Sequence, residues 1–561
     1  MGLDIFHICC YTCANSPTSY KDKRYTLSRG KSLAISAVTV TIATFLGRIF
    51  GFVREMVIAN KFGATAKTDA FLVAFTIPNI IYSLVVMGAL SASFIPVFTG
   101  LLANEKEKDA WRLAYTIFNL LLIIFGVITV LLILLAPKVI FLLVPGFDTP
   151  GQSELAANLL RMMAPALVFM GISGLMAGIL NSYNHFAAPS LVALVQNVVM
   201  VGSILVFASR MGIYGTAVGL LLGSIGQVVI QLPFVIKRGL AFRPTLSLKH
   251  EDLATVGKLF VPVLIGLGAS QSNTIIDKWM ASFLSVGSIT YLNDAFKVGS
   301  LPLNTLVAAI AIVLFPMLSR HAARDDVDSL KNTVSLGIRM IALVAIPSTV
   351  SLFVLSFPII KLLFQHGAFG PDATRATAPA LAAYSFGLFA MGLNMLIVRA
   401  FYALKDGITP MKASIAFMFM LVGLDLVFMR FMAHVGLAVG YALAVSLMVL
   451  ILLRGLRKRL GGINGLQIAR SLSKILVAAL AMGVATWAAS GYLTGLPGSG
   501  SKLHELTIVG ASLGVGAAVY TALLVLLKAD EVMLVWQVVR SKLSRNGLAP
   551  DGIVRKSGSQ G

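Results

Sequence analysis

Acidic residues are scarce in this chain, 23 against 45 lysines and arginines in 561 residues, and charged side chains of either sign make up only 12% of it. Soluble domains carry roughly 25%, so a water-facing surface of ordinary polarity is excluded. Cysteine is scarcer still. Cys9, Cys10 and Cys13 are the only three, all near one end, which excludes a disulfide framework. The seven histidines are scattered and no P-loop string occurs, leaving neither a metal-spaced cluster nor a phosphate-cradling loop. The polar/apolar alternation that the strands of a membrane barrel need is missing too.

What the chain has is apolar length: it is 57% hydrophobic, with a mean hydropathy of +0.88. A run such as Phe118 to Ala136 is long enough to cross a hydrocarbon core of about 30 Å as a helix. The expected fold is therefore an all-α polytopic membrane protein of about fourteen transmembrane helices. One expected boundary falls between segments 410–432 and 435–454. The net charge of +22 invites a nucleic-acid reading, but the basic residues are spread over short loops and form no single face. Alternate loops hold most of them, for example Lys106, Lys108 and Arg112, then Arg238, Arg243 and Lys249, then Arg454, Arg457, Lys458 and Arg459. The intervening loops carry little beyond Lys61, Lys67, Lys138, Arg210, Lys361, Arg375 and Lys502. By the positive-inside rule this places both termini in the cytosol, with no nucleic-acid partner.

Residues 1–30 read as a disordered cytosolic extension. A metal site built from His7 and the cysteines, or acylation of Cys9 and Cys10, stands as an alternative use of that stretch. An internal repeat is visible beyond it. The stretch from Asp69, DAFLVAFTIPNIIYSLVVMGALSASFIPVF, is similar to that from Asp294, DAFKVGSLPLNTLVAAIAIVLFPMLS: each starts Asp-Ala-Phe, has a proline mid-span and ends near a second proline. Counted as the second and eighth spans, they imply two six-helix lobes, 31–246 and 247–462, followed by two further spans in 463–530 and a cytosolic tail, 531–561.

Several charges lie inside spans. Arg48, Arg54 and Glu55 fall in TIATFLGRIFGFVREMVIA, where an ionised side chain costs at least about 2.5 to 3.5 kcal/mol on insertion scales. They need a partner or a wet cavity. Either they pair with neighbouring helices and snorkel, or they build a cationic site for an anionic substrate group. Lys297 follows the same logic in a helix interrupted by Gly299 and Pro302, whose freed carbonyls must face protein or water. Asp277 with Lys278, Asp294 and Asp425 are further in-span charges, and Arg339 and Arg399 read as structural or interfacial.

These residues also carry a resemblance. GRIFGFVREMVIANKFGATAKTDAFLVAFTIPN (Gly47 to Asn79) resembles the N-terminal signature of the MurJ/MviN flippases, of the multidrug/oligosaccharidyl-lipid/polysaccharide exporter superfamily. GILNSYNHFAAP, DKWMASFLSVGS, FQHGAF, AYSFGL and FYALKDGITPMK follow at the family's spacing. The resemblance implies a transporter, not an enzyme, that moves lipid II, the undecaprenyl-pyrophosphate-linked peptidoglycan precursor, across the bacterial inner membrane by alternating access. It implies a substrate site of Arg48, Arg54, Asp69 and Lys297, the last replacing the family's arginine. It also implies a coupling-ion site, for Na+ or H+, at Asp277 and Asp425, with no other cofactor and with cell-wall or polysaccharide synthesis proteins as partners.

The chain departs from the family pattern at Tyr82 and Ser83, where a basic pair is usual, at Met87, where an acid is usual, and at Leu421 and Tyr441 in the ion site. The alternatives are a flippase for another lipid-linked glycan such as an exopolysaccharide repeat unit, a drug/cation antiporter, and a non-transporting scaffold. A cationic first span opposes the antiporter, because organic cations want acidic cavities. Reporter fusions check the topology: those after Gly146 and Gly498 are expected to read periplasmic and those after Leu246 and Arg324 cytosolic, and reversal at two of the four overturns it.

Overall fold

The computed structural model describes residues 20–147, 149–240, 251–495, 501–529 and 531. Within them the chain is helical throughout. Helix α1 is Tyr20–Phe62, α2 Ala66–Tyr82, α3 Ser91–Ala103, α4 Glu107–Leu143, α5 Gln152–Met163, α6 Ala166–Ser182, α7 Ala187–Met211 and α8 Tyr214–Ile236. The chain continues with α9 Glu251–Ala281, α10 Ser288–Gly299, α11 Ala308–Ala323, α12 Val327–Val354, α13 Ser356–Phe364, α14 Pro371–Phe386, α15 Leu388–Ala403, α16 Ile408–Leu460, α17 Gly465–Thr494 and α18 Lys502–Leu526. The solvent of this bundle is legible on α4, where Val127, Leu134, Phe141 and Leu142 all stand exposed. Such a stripe on a helix whose opposite side is packed belongs against acyl chains.

Among the described residues nine helices are long and apolar enough to cross a membrane, or eleven when the bent pairs α5 with α6 and α14 with α15 each count as one span. The expected fourteen is compatible with this. Helices α1 and α9, of 43 and 31 residues, both exceed the length a bilayer requires, and α16 supplies two crossings. Its 53 residues reverse at Ala433, whose φ of 49° and ψ of −129° are not helical. The reversal is proven by packing: a Cβ on Gly436 would strike the Phe428 carbonyl, and one on Gly440 would strike Asp425, contacts out of reach along a straight helix. The turn lies at the boundary expected between 410–432 and 435–454.

Helix α1 packs along α7, α7 against α8 and α8 against α6, while α10 packs on α14, α12 on α15 and α17 on both α12 and α18. The proposed lobe boundary at 246/247 lies outside the described residues, as do 1–19 with His7 and the cysteines. The internal repeat has a structural counterpart. After Pro78 the second span loosens into a π-helix at Ser83–Leu90, and after Pro302 the eighth does the same at Leu303–Val307. Proline removes a ladder donor, and π geometry is one way a helix absorbs the mismatch. Nearby hydroxyls take up the loosened carbonyls: Ser83 donates to Ile80, Ser91 to Val86, Ser300 to Lys297 and Thr305 to Leu301, at 2.7 to 3.1 Å.

The loop before α16 is built on local chemistry. Lys405 sits at a positive φ of 57°, and Asp406 then caps the helix by accepting from the backbone N–H groups of Ile408 and Thr409 and the Thr409 hydroxyl. Those bonds hold the Asp406 carboxyl below the usual range, which accounts for the KDGIT string on backbone grounds. Because the two limbs of α16 meet at Gly440, Gly440→Leu is expected to destabilise the protein by about 1 to 3 kcal/mol through overpacking. A lowered Tm of the detergent-purified protein checks this, and an unchanged one contradicts the packing.

Candidate functional site

Two turns separate Arg48 from Glu55, so both lie on one face of α1, with Arg54 beside them. Glu55 is 4% exposed and its Oε1 is shared by two cations: Arg54 Nη2 at 2.5 Å and Lys297 Nζ at 2.7 Å. Arg54 comes from the same helix; Lys297 comes from α10, more than two hundred residues away. The far end of the Arg54 guanidinium donates from Nη1 to Asn197 Oδ1 on α7 at 3.0 Å, and its carbon lies 5.6 Å from the Phe75 ring centre. Arg48 Nη1 donates to the Asn304 carbonyl at 2.8 Å, a backbone oxygen of the π-helical stretch. Each of these three in-span cations thus has a polar partner.

Asp294, buried on α10 with one oxygen unpartnered, lies within electrostatic range of both Glu55 and Lys297, and Lys297 remains 32% exposed in this mixed-charge cluster. Lys278 on α9 adds to it, lying within electrostatic range of Lys297, Glu55, Asp69 and Asp277. An arrangement of this kind can hold a multivalent anion, because an incoming phosphate can take the place of Glu55 with charge-assisted hydrogen bonds. At the α1–α10 seam Arg54 and Lys297 meet on Glu55, while Arg48, exposed and two turns away on α1, reaches the π-helical stretch that follows α10. Asp69 is not part of the seam.

Asp69 is buried and both its oxygens are occupied. Oδ2 accepts from the Gly287 N–H at 2.6 Å, and Oδ1 accepts from the Thr290 N–H and hydroxyl at 2.9 and 2.6 Å. A carboxylate on α2 thereby caps the first turn of α10, where unpaired amides and the helix dipole favour negative charge. Its geometry is that of a brace between the two repeats rather than of a ligand. A second closure lies at the same rim. The Ala368 N–H donates to the Asn60 carbonyl at 2.8 Å, and Gly63 and Gly367 press so closely that a Cβ on either would meet the opposing backbone. Both have positive φ, 62° and 55°, so glycine is required twice over. This accounts for the glycines of NKFGAT and FQHGAF.

Asp425 is fully buried on the first limb of α16, and neither carboxylate oxygen has a hydrogen-bond partner. Around it stand Tyr384 and Tyr441, with ring centres 5.8 Å apart, and Asp277 lies within electrostatic range of Asp425 and both tyrosines. The structure thus brings Asp277 and Asp425 into one cluster. Leu421, where the family's asparagine is expected, is buried and apolar. Phe296, next to Lys297, packs edge-on against both Tyr384 and Tyr441, so the two charged groups share a wall. Among the described residues no group of three or more His, Cys, Asp or Glu side chains is placed to hold a metal.

A further in-span charge is structural. Arg339 pairs with Glu531 at 2.6 Å, and Ser471 donates to the same oxygen. At the position of the family's basic pair, Ser83 accepts from Gln271 Nε2 at 2.7 Å, a neutral contact between α9 and the second span. Sequence reasoning missed Asn197. The available signal was a lone amide in an apolar helix together with the Gly47-x-x-x-Gly51 spacing on α1, which marks close helix approach.

Comparison with known proteins follows the same line. A family model described as "Lipid II flippase MurJ" matches residues 58–504. A protein of Vibrio cholerae named probable lipid II flippase MurJ is 32% identical over 513 residues, covering 89% of this chain and 96% of that relative. A solved structure titled lipid II flippase MurJ, inward closed conformation, superposes with a TM-score of 0.75 at 25% identity, covering 88% of this chain and 100% of that one. An inward-facing MATE-family multidrug transporter shares the fold, with a TM-score of 0.65 at 13% identity over 76% of this chain and 98% of its own.

The brace generates a prediction. Asp69→Ala leaves the Gly287 and Thr290 amides without their acceptor, at about 1 to 3 kcal/mol, and shifts the population away from the closed rim. Cysteines placed at Asn60 and Ala368 are expected to cross-link less in the Asp69→Ala background; an undiminished yield removes Asp69 from the closure.

Proposed function

This chain belongs to the lipid II flippase MurJ family, and we propose that it carries lipid II across the inner membrane by alternating access, with Arg48, Arg54 and Lys297 meeting the pyrophosphate. It is a transporter with no covalent step. The observation that carries the reading is the shared Glu55: cations from the two repeats are held together by one resident carboxylate that a pyrophosphate can replace. Removing one partner of a buried pair without replacement costs about 3 to 5 kcal/mol, so the cations are kept in place until a substrate of the right charge supplies its own oxygens. Lys297 offers a point charge and Arg54 a fork. With both termini in the cytosol, the Asp69 and Asn60–Ala368 contacts lie at the periplasmic rim, and this conformation is the one closed to the periplasm. The neutral Ser83–Gln271 contact favours, as a second reading, a lipid-linked glycan other than lipid II.

Coupling is assigned to Asp277 and Asp425, a pair of neighbouring carboxyls of which Asp425 has both oxygens unpartnered and free to take a proton or a sodium ion. Transport of fluorescent lipid II in proteoliposomes, with complementation of a flippase-depleted strain, tests the whole reading. Alanine at Arg48, Arg54 or Lys297 removes a charged hydrogen bond of about 1.5 to 3 kcal/mol and is expected to lower transport by roughly tenfold or more, with the protein still inserted and monodisperse. Lys297→Arg is expected to be tolerated, since a guanidinium also suits phosphate. Full activity in the three alanine variants overturns the cationic site, and failure to complement with full transport of another lipid-linked glycan selects the second reading. Asp425→Asn is expected to lower transport at unchanged expression; unaltered transport leaves Asp425 without a coupling role.

A further inference from the structure

Asn197 lies on α7, outside every charged motif, and is 8% exposed in the middle of an apolar helix. Both ends of its amide are used across the same interface. Nδ2 donates to the Gly47 carbonyl at 3.1 Å, and Oδ1 accepts from Arg54 Nη1 at 3.0 Å. The approach is possible because α1 presents glycines there: a Cβ on Gly47 would lie 3.3 Å from the Leu194 nitrogen, and one on Gly51 would lie 3.2 Å from Asn197 Nδ2. With a donor and an acceptor both engaged, the amide has one orientation, and a flip would set Nδ2 against the guanidinium.

The consequence falls on Arg54. Its Nε and Nη2 edge faces Glu55 Oε1, at 3.2 and 2.5 Å, whereas Nη1 is held from the other side by Asn197. The Glu55 edge is the one an incoming phosphate must take. If Glu55 withdraws, Asn197 is the neutral hydrogen-bond acceptor that remains to fix the plane of the fork, with Met200 Sδ a weaker contact at 3.8 Å from Nη1. A carboxylate there would fix it too but would also cancel the charge the substrate needs. An amide fixes it and leaves the charge intact.

We propose that Asn197 is a positioning residue for substrate binding, which locks the Arg54 guanidinium by its Nη1 corner so that the Nε/Nη2 edge is presented to a diphosphate group. The proposal rests on the assignment of Arg54 to the pyrophosphate, and the experiment separates the two. The full-length protein, Asn197→Leu, Arg54→Ala and the double variant are purified in detergent, and affinity for undecaprenyl pyrophosphate is measured by quenching of intrinsic tryptophan fluorescence. Asn197→Leu is expected to weaken binding about tenfold in the unaltered background, the loss of a charge-assisted contact, and to have no further effect once Arg54 is alanine. A merely structural role for Asn197 predicts equal weakening in both backgrounds, and that additivity overturns the proposal while leaving Arg54 in the site. Unchanged affinity in Arg54→Ala instead overturns the cationic site itself. Asn197→Asp guards against misfolding of the leucine variant: it keeps the acceptor, adds an opposing charge and is expected to weaken binding at least as much. Undiminished binding by Asn197→Asp counts against the proposal.

Discussion

A carboxylate buried in its ionised form in an apolar helix needs a cation beside it, and the fold around Glu55 follows from that constraint. In hydrocarbon an ion is tolerated only against a partner, and Glu55 has two: Arg54 beside it and Lys297 from the other repeat. The same contact that makes α1 insertable therefore ties α1 to α10. Any event that separates the repeats must break it.

The second constraint is the backbone. A carbonyl without a donor is as unwelcome in lipid as a charge, yet both repeat-related spans carry a proline and a π-helical stretch, at Ser83–Leu90 and Leu303–Val307. Serine and threonine hydroxyls take up neighbouring carbonyls, and Arg48 binds the carbonyl of Asn304. A break in one helix and a cation in another thus answer each other. The rim is closed by the same currency of backbone groups, the Asp69 cap on α10 and the Asn60–Ala368 bond. Hydrogen bonds of this kind can be exchanged one for another at modest net cost, which suits a closure that has to open.

Much of this was legible before any coordinates. Hydropathy fixed the class, because an apolar run of span length has few alternatives. The turn at Ala433 fell where the sequence placed a boundary. The recurrence of Asp-Ala-Phe and proline marked the two spans that prove to share π-helical breaks. In-span charge singled out Arg48, Arg54, Glu55 and Lys297 as residues needing partners, and Arg54, Glu55 and Lys297 meet while Arg48 takes the Asn304 carbonyl. Other readings stopped short for a physical reason. Asp69 shares the motif of the substrate residues, yet its oxygens are taken by amides 218 and 221 residues on. Asn197 carries no charge and belongs to no motif, so nothing in its own helix announces the guanidinium it holds.

Solvent preference and backbone chemistry are local properties, read along the chain from each side chain's transfer cost and each proline's missing donor. They settled that the molecule spans a membrane, where its helices turn and which charges demanded company. Partnership is a property of distance after folding. Only the packed helices decided that Glu55 serves two cations, that Asp69 braces a helix, that Asp277 and Asp425 lie in one cluster and that an amide on α7 orients an arginine on α1. Charge and hydrogen-bonding capacity are written in the residue, whereas the partner that satisfies them is chosen by the helices that hydrocarbon forces together.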